Sequence, residues 1–116
     1  LVWVKQAGGT GSAGGFGLGM DGSGNIYITG TFNHSATFGA SEPNETTLVS
    51  AGSNDIFVAK YDANGGLLWA KQAGGAVPAY GLGIAVDTSG NSYVTGQFYG
   101  TAVFGALEPN ETTLLT

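Results

Sequence analysis

The chain has 116 residues, 22 of them glycine, with 42% hydrophobic and only 9% charged residues and a formal net charge of −5. That is enough for one small domain and too apolar for a disordered segment, and the glycines follow no collagen period. Lys5, Lys60 and Lys71 are the only fixed cations, too few to neutralise a phosphate backbone or hold an anionic bilayer. No apolar run nears the roughly 20 residues that span a membrane, so neither nucleic-acid binding nor membrane insertion is expected. The absence of cysteine removes disulfides, zinc–thiolate sites and thiol nucleophiles.

In chain order, "LVWVKQA" (1–7) reads as a strand carrying Trp3. Phe16, Leu18 and Met20 then alternate with Gly15, Gly17 and Gly19, a period of two that places apolar side chains on one face and bare backbone on the other. A face of glycine lets a second sheet approach closely. "DGSGN" (21–25) is a hairpin turn, and "IYITGTF" (26–32) is the returning strand. A polar insert over 33–54 holds a small ribbon formed by "ATFG" and "TTLVS". "DIFVAKYD" (55–62), the turn "ANGG" and "LLWAKQA" (67–73) give two more strands. Gly interrupts every window that would hold a helix.

From residue 67 the order begins again. Residues 67–116 align with 1–50 without a gap, more than half of the positions being identical, and "EPNETTL" recurs letter for letter at 42–48 and 108–114. A period of 66 residues suits one multi-stranded unit per repeat rather than a short solenoid turn. Four strands joined by tight turns predict an all-β fold of antiparallel propeller blades. The expected divisions are the last strand of a preceding blade with its linker (1–14), a complete blade with an insert (15–73, insert 33–54), and the first half of the next blade (74–116). About one and three-quarter repeats cannot close a propeller, so the chain reads as a piece of a longer repetitive polypeptide or as a subunit of an assembly.

The pattern D-x-S-G-N-x-Y-x-T-G-x-F followed by "DIFVAKYDANGGLLW" resembles the bacterial SBBP β-propeller repeat family, over essentially the whole chain. The resemblance implies secreted or surface-attached proteins in which propeller repeats serve as scaffolds or binding modules. "AKYDANGGLLW" also resembles the strand–turn–Trp segment of quinone-dependent dehydrogenase propellers. That likeness implies docking of blades through Trp3 and Trp69, not a cofactor.

Chemistry-bearing candidates are few. His34 is the only histidine and its repeat partner is Gly100, so no acid–base role is shared by the repeats. "GLGMDG" (17–22) matches a phosphate-loop pattern, but it lies in a hairpin with no following helix. No catalytic residue and no cofactor are expected. Asp21, Ser23 and Asn25, with Asp87, Ser89 and Asn91, offer oxygens at alternate positions as calcium loops do. With one carboxylate per loop, the favoured reading is an Asx turn, with calcium as the minor one. Asn44, Asn110 and Asn33 begin N-x-[ST] acceptor patterns, and Thr46, Thr47, Thr112 and Thr113 are candidates for O-linked sugar. The favoured account of the heptapeptide remains a turn fixed by Pro43 or Pro109. Trp3/Trp69, Phe32/Phe98 and Phe38/Phe104 occupy equivalent positions, which favours packing between blades, whereas Tyr99 is a candidate for exposed ligand stacking. The expected function is a non-enzymatic structural repeat of an extracellular or cell-surface protein, whose partners are further repeats or other copies. The alternative is a carbohydrate- or protein-binding propeller whose insert loops form the rim and whose partners include glycans.

Overall fold

A computed structural model describes residues 1–116. The chain is all-β, with no helix, in ten antiparallel strands: β1 Ala13–Met20, β2 Ile26–Phe32, β3 Ser35–Phe38, β4 Thr46–Val49, β5 Asp55–Tyr61, β6 Leu67–Ala73, β7 Ala79–Val86, β8 Ser92–Phe98, β9 Thr101–Phe104 and β10 Thr112–Leu115. One sheet has four strands in the order β1-β2-β5-β6, and three ribbons have two strands each, β3-β4, β7-β8 and β9-β10.

Beyond residues 1–7 and their equivalent 67–73, the two copies of the repeat fold alike where both are present. β1 pairs with β2 and β7 with β8, and each pair carries a bulge at the same place, between Gly15 and Gly17 and between Gly81 and Gly83. The alternating pattern contained no sign of the bulge. The backbones of the paired strands are too close at Gly30 and Gly96 for a side chain: an added Cβ would lie 1.9 Å from the Gly14 carbonyl oxygen and 2.1 Å from that of Tyr80. A bulge of this kind bends and twists the strand that carries it.

Two expectations at the N-terminal side change. The four-stranded sheet starts at Ala13, two residues before the expected start. Residues 1–7 form no strand, and the segment's ladder contact is a bridge from Gly8 to Thr37. The physical reason lies in the repeat. β6, their equivalent, exists by pairing with β5, and no β5-like strand stands beside residues 1–7. The segment instead lies across the sheet, with the Trp3 ring 6.5 Å from that of Tyr61 and its indole N–H donating to the Ala63 carbonyl at 3.1 Å.

The core sits on one face of the four-stranded sheet, beneath the β3-β4 ribbon. Phe32, Phe38, Phe57, Ala59, Tyr61 and Leu67 form it, and Ala7 of the N-terminal segment packs at its edge. Phe57 is the central ring, 5.0 Å from Phe38 and 6.5 Å from Phe32. Burying aromatic side chains of this size contributes about 2 kcal/mol each. The opposite face of the sheet receives the second ribbon pair, β7-β8.

Candidate functional site

The two repeats approach each other closely where the glycine face of β1 meets β7. A Cβ added to Gly17 would lie 3.0 Å from Gly83 Cα and 3.1 Å from the Ile84 nitrogen, and one at Gly19 would lie 2.8 Å from Val86 Cγ2. At the neighbouring position on β7, a Cβ at Gly81 would lie 2.6 Å from Thr29 Oγ1 and 2.8 Å from Ile56 Cγ2. The bare face predicted by the alternation is therefore the face on which a second sheet rests. Its apolar counterpart points the other way. Phe16, Leu18 and Met20 are 62%, 65% and 57% exposed, whereas their repeat equivalents on β7 include Ile84 and Val86, which are partly covered by β1.

A polar contact fixes the register of this packing. Tyr27 is fully buried, and its hydroxyl lies 3.0 Å from the Gly90 carbonyl oxygen and 3.1 Å from Asp21 Oδ2. The Trp69 ring stands edge-on to Tyr27 at 6.1 Å, and the Lys60 ammonium lies 4.9 Å above the tyrosine ring and 3.7 Å from Asp21 Oδ2. Gly90 takes φ 85°, and an added Cβ there would lie 3.0 Å from the Tyr27 hydroxyl. Only glycine meets both demands.

The two Asp-Ser-Asn loops are Asx turns. Asp21 Oδ1 accepts the Ser23 and Asn25 amides at 2.9 and 3.0 Å, and its Oδ2 accepts the Asn25 side-chain amide at 2.9 Å. The Asn25 amide, ahead of the backbone donors and Tyr27, holds the Asp21 carboxyl at about 2. Asp87 repeats the arrangement with Ser89 and Asn91, and the Asn91 amide lowers its pKa in the same way. Both oxygens of each carboxylate thus face hydrogen-bond donors, a setting built for a turn. Nowhere in the chain do three His, Asp or Glu side chains gather in a metal-binding group.

The heptapeptide is a tether. Glu42 Oε2 accepts the Leu67 amide at 2.6 Å, Asn44 Nδ2 donates to the Leu67 carbonyl at 3.0 Å, and Lys5 pairs with Glu42 Oε1. Three parts of the chain, the N-terminal segment, the insert and the start of β6, meet at Glu42. The Leu67 amide, followed by Lys5, lowers the Glu42 pKa. In the second copy Lys71 pairs with Glu108 at 2.5 Å, one repeat further on. Sequence reading singled out the turn and missed the tether, although its signal was present: Lys5 and Lys71 recur with the same period as Glu42 and Glu108.

The other candidates fall separately. Asn33 is a loop tie, its Nδ2 donating to Ser12 Oγ at 3.0 Å and its Oδ1 accepting the Ser12 amide at 2.9 Å. Asn44 uses its amide on Leu67, whereas Asn110 is exposed and Thr112 Oγ1 donates to its backbone carbonyl at 3.2 Å. Thr46 makes the same bond to Asn44 at 2.9 Å, and Thr47 faces Thr37 at 2.8 Å, while Thr113 is exposed on β10. His34 is exposed on its turn beside Asn33 Oδ1, and Tyr99 is 55% exposed on the second turn. Phe98 and Phe104 stand edge-on at 6.1 Å and line a groove of about 720 Å³ beside β8. Asp55, not among the candidates read from the sequence, is fully buried. Its Oδ2 accepts the Ala51 amide at 2.9 Å and the Gln72 side-chain amide at 3.2 Å, Oδ1 has no partner, and burial raises its pKa.

These features define an all-β protein built from two copies of one repeat that pack on each other. The chain belongs to the SBBP β-propeller repeat family, whose pattern matches residues 2–35 and 68–97, more than half of its length. The two matched stretches begin one repeat apart. The chain is also 31% identical over 86 residues to an uncharacterised WD repeat-containing protein of Acanthamoeba polyphaga mimivirus. That alignment covers 70% of this chain and 6% of the viral protein.

Proposed function

We propose that the chain is a non-enzymatic structural repeat, built of four-stranded propeller blades with a period of 66 residues, in an extracellular scaffold, surface layer or filament. In this reading the sheet spanning 13–73 is a whole blade and residues 74–116 are the first half of the next. Residues 1–7 stand where the last strand of a preceding blade belongs, against Tyr61 and Gly65. The observation that carries it is the stacking of β7-β8 of the second repeat on the glycine face of β1-β2 of the first.

The groove beside β8 supports the same reading. Val94, Phe98, Phe104 and Leu114 line it, and they are the equivalents of Ile28, Phe32, Phe38 and Leu48, which surround the β5 strand in the first repeat. A strand like β5 completes the second blade at this place. The relative described as a WD repeat-containing protein is consistent with a chain of many repeats.

Electron microscopy of the protein isolated from its source tests the proposal. The expected images show discs or rods of radially or linearly stacked sheets, and the protein is recovered outside the cell or on its surface. A particle with no repeating sheet, or one confined to the cell interior, would overturn it.

A further inference from the structure

We infer that the two outer faces of the chain bind each other in head-to-tail contact between copies, so that one copy's β7-β8 face docks on the β1-β2 face of a second copy. The inference rests on the repeat reading above and names the partner: another copy of this chain.

The contact inside the chain supplies the template. The pairs that join β1-β2 to β7-β8 at Gly17, Gly19, Tyr27 and Thr29 have exchanged pairs, one repeat removed, on the two outer faces, whereas the contact of Gly81 with Ile56 has no counterpart within residues 1–116. Gly17 against Gly83 becomes Gly83 against Gly17 of the second copy, so this close backbone approach is again glycine to glycine. Thr29 against Gly81 becomes Thr95 against Gly15 of the second copy. Gly19 against Val86 becomes Ala85 against Met20. There the added methyl of Ala85 meets an unbranched, flexible methionine instead of a β-branched valine, a compensated exchange. Tyr27 on the Gly90 carbonyl becomes Tyr93 on the carbonyl of Gly24, which shares the positive φ, 81° against 85°.

Both faces are open. Tyr93 is 62% exposed where Tyr27 is 0%, and Leu18 and Met20 are exposed where Ile84 and Val86 are covered. Residues 1–7 lie beside β1-β2, on the part of that face opposite Tyr61, and leave Leu18 and Met20 free. Because the two faces differ, the contact is heterologous. It leaves an unused face at each end and does not stop at a dimer.

Sedimentation velocity over a range of concentrations tests this with two variants, Ala85→Glu and Met20→Glu, each at an exposed site. The wild-type chain is expected to grow beyond two copies as concentration rises. Each variant alone has one blocked face and stays monomeric, with an unchanged circular dichroism spectrum. An equimolar mixture of the two variants retains one good face of each kind, and forms a one-to-one dimer that grows no further. The inference is overturned by a wild-type chain that stays monomeric, by a variant that assembles like wild type, or by a mixture that stays monomeric. A wild-type monomer seen together with repeating sheets in the native particle would remove the contact between copies and leave the repeat reading standing.

Discussion

His34 and Gly100 occupy the same place in the repeat and both take left-handed backbone, at φ 55° and 62°. A non-glycine residue there costs on the order of 1 kcal/mol, and the exposed imidazole recovers little of it through its contact with Asn33. His34→Gly should raise stability by about 1 kcal/mol and Gly100→His lower it by about the same, as read from urea midpoints. Asp55 and Asp21 give opposite pH dependences. The raised pKa of Asp55 means that the folded chain holds a proton the unfolded chain would release, so stability falls as pH rises from the ordinary value of 3.8 through the higher folded one. Asp55→Asn should abolish that fall and raise the melting temperature at pH 7. Asp21 is lowered, so its contribution is fully present above 3.8 and is lost as pH falls toward about 2. Asp21→Asn should flatten this acid limb, and unchanged melting curves in acid would refute the assignment.

Between elements, stacking depends on small residues and the insert depends on its tether. Gly17→Ala places a methyl 3.0 Å from Gly83 Cα and 3.2 Å from Thr29 Cγ2 and should cost about 1–3 kcal/mol. Amide exchange should then quicken first in β7 and β8, and equal protection in both sheets would contradict the packing described. Glu42→Ala removes the acceptor of the Leu67 amide and the partner of Lys5, so exchange at Leu67 should accelerate with β5 unaffected. The strands themselves were legible: β2, β6 and β8 lie where their alternation, bounded by Gly-rich turns, places them. Residues 1–7 misled for a reason no pattern contains, because a strand is a property of a pair and theirs is missing within reach. The outward turn of Leu18 and Met20 was equally hidden. Alternation says that two faces differ and not which one is covered. The tether joins residues far apart in sequence, and only the echo of Lys5–Glu42 in Lys71–Glu108 marked it.

At the scale of the molecule, charge and open surface act against each other. Every lysine is paired, Lys5 with Glu42, Lys60 with Asp21 and Lys71 with Glu108, so the net charge of −5 resides in carboxylates without a cationic partner. Copies that meet head to tail repel one another through it. Screening shortens that repulsion to about 3 Å at 1 M salt, so assembly should strengthen with added sodium chloride, and weakening with salt would point to a contact made of ion pairs. The groove beside β8 yields a separate expectation. A peptide with the sequence of residues 54–62 should shift the amide resonances of Val94 to Phe98, and a spectrum without change would deny that the groove accepts a strand of that kind.

The same likeness between β2 and β8 bears on how the chain reaches its structure. β5 has two berths of nearly equal chemistry, one lined by Phe32 and Phe38, the other by Phe98 and Phe104. Ribosomal synthesis delivers β2 and β5 before β8 exists, so the first berth fills unopposed. A chain diluted from denaturant meets both at once, and the order of emergence, rather than contact energy alone, separates the correct product from its mispaired twin.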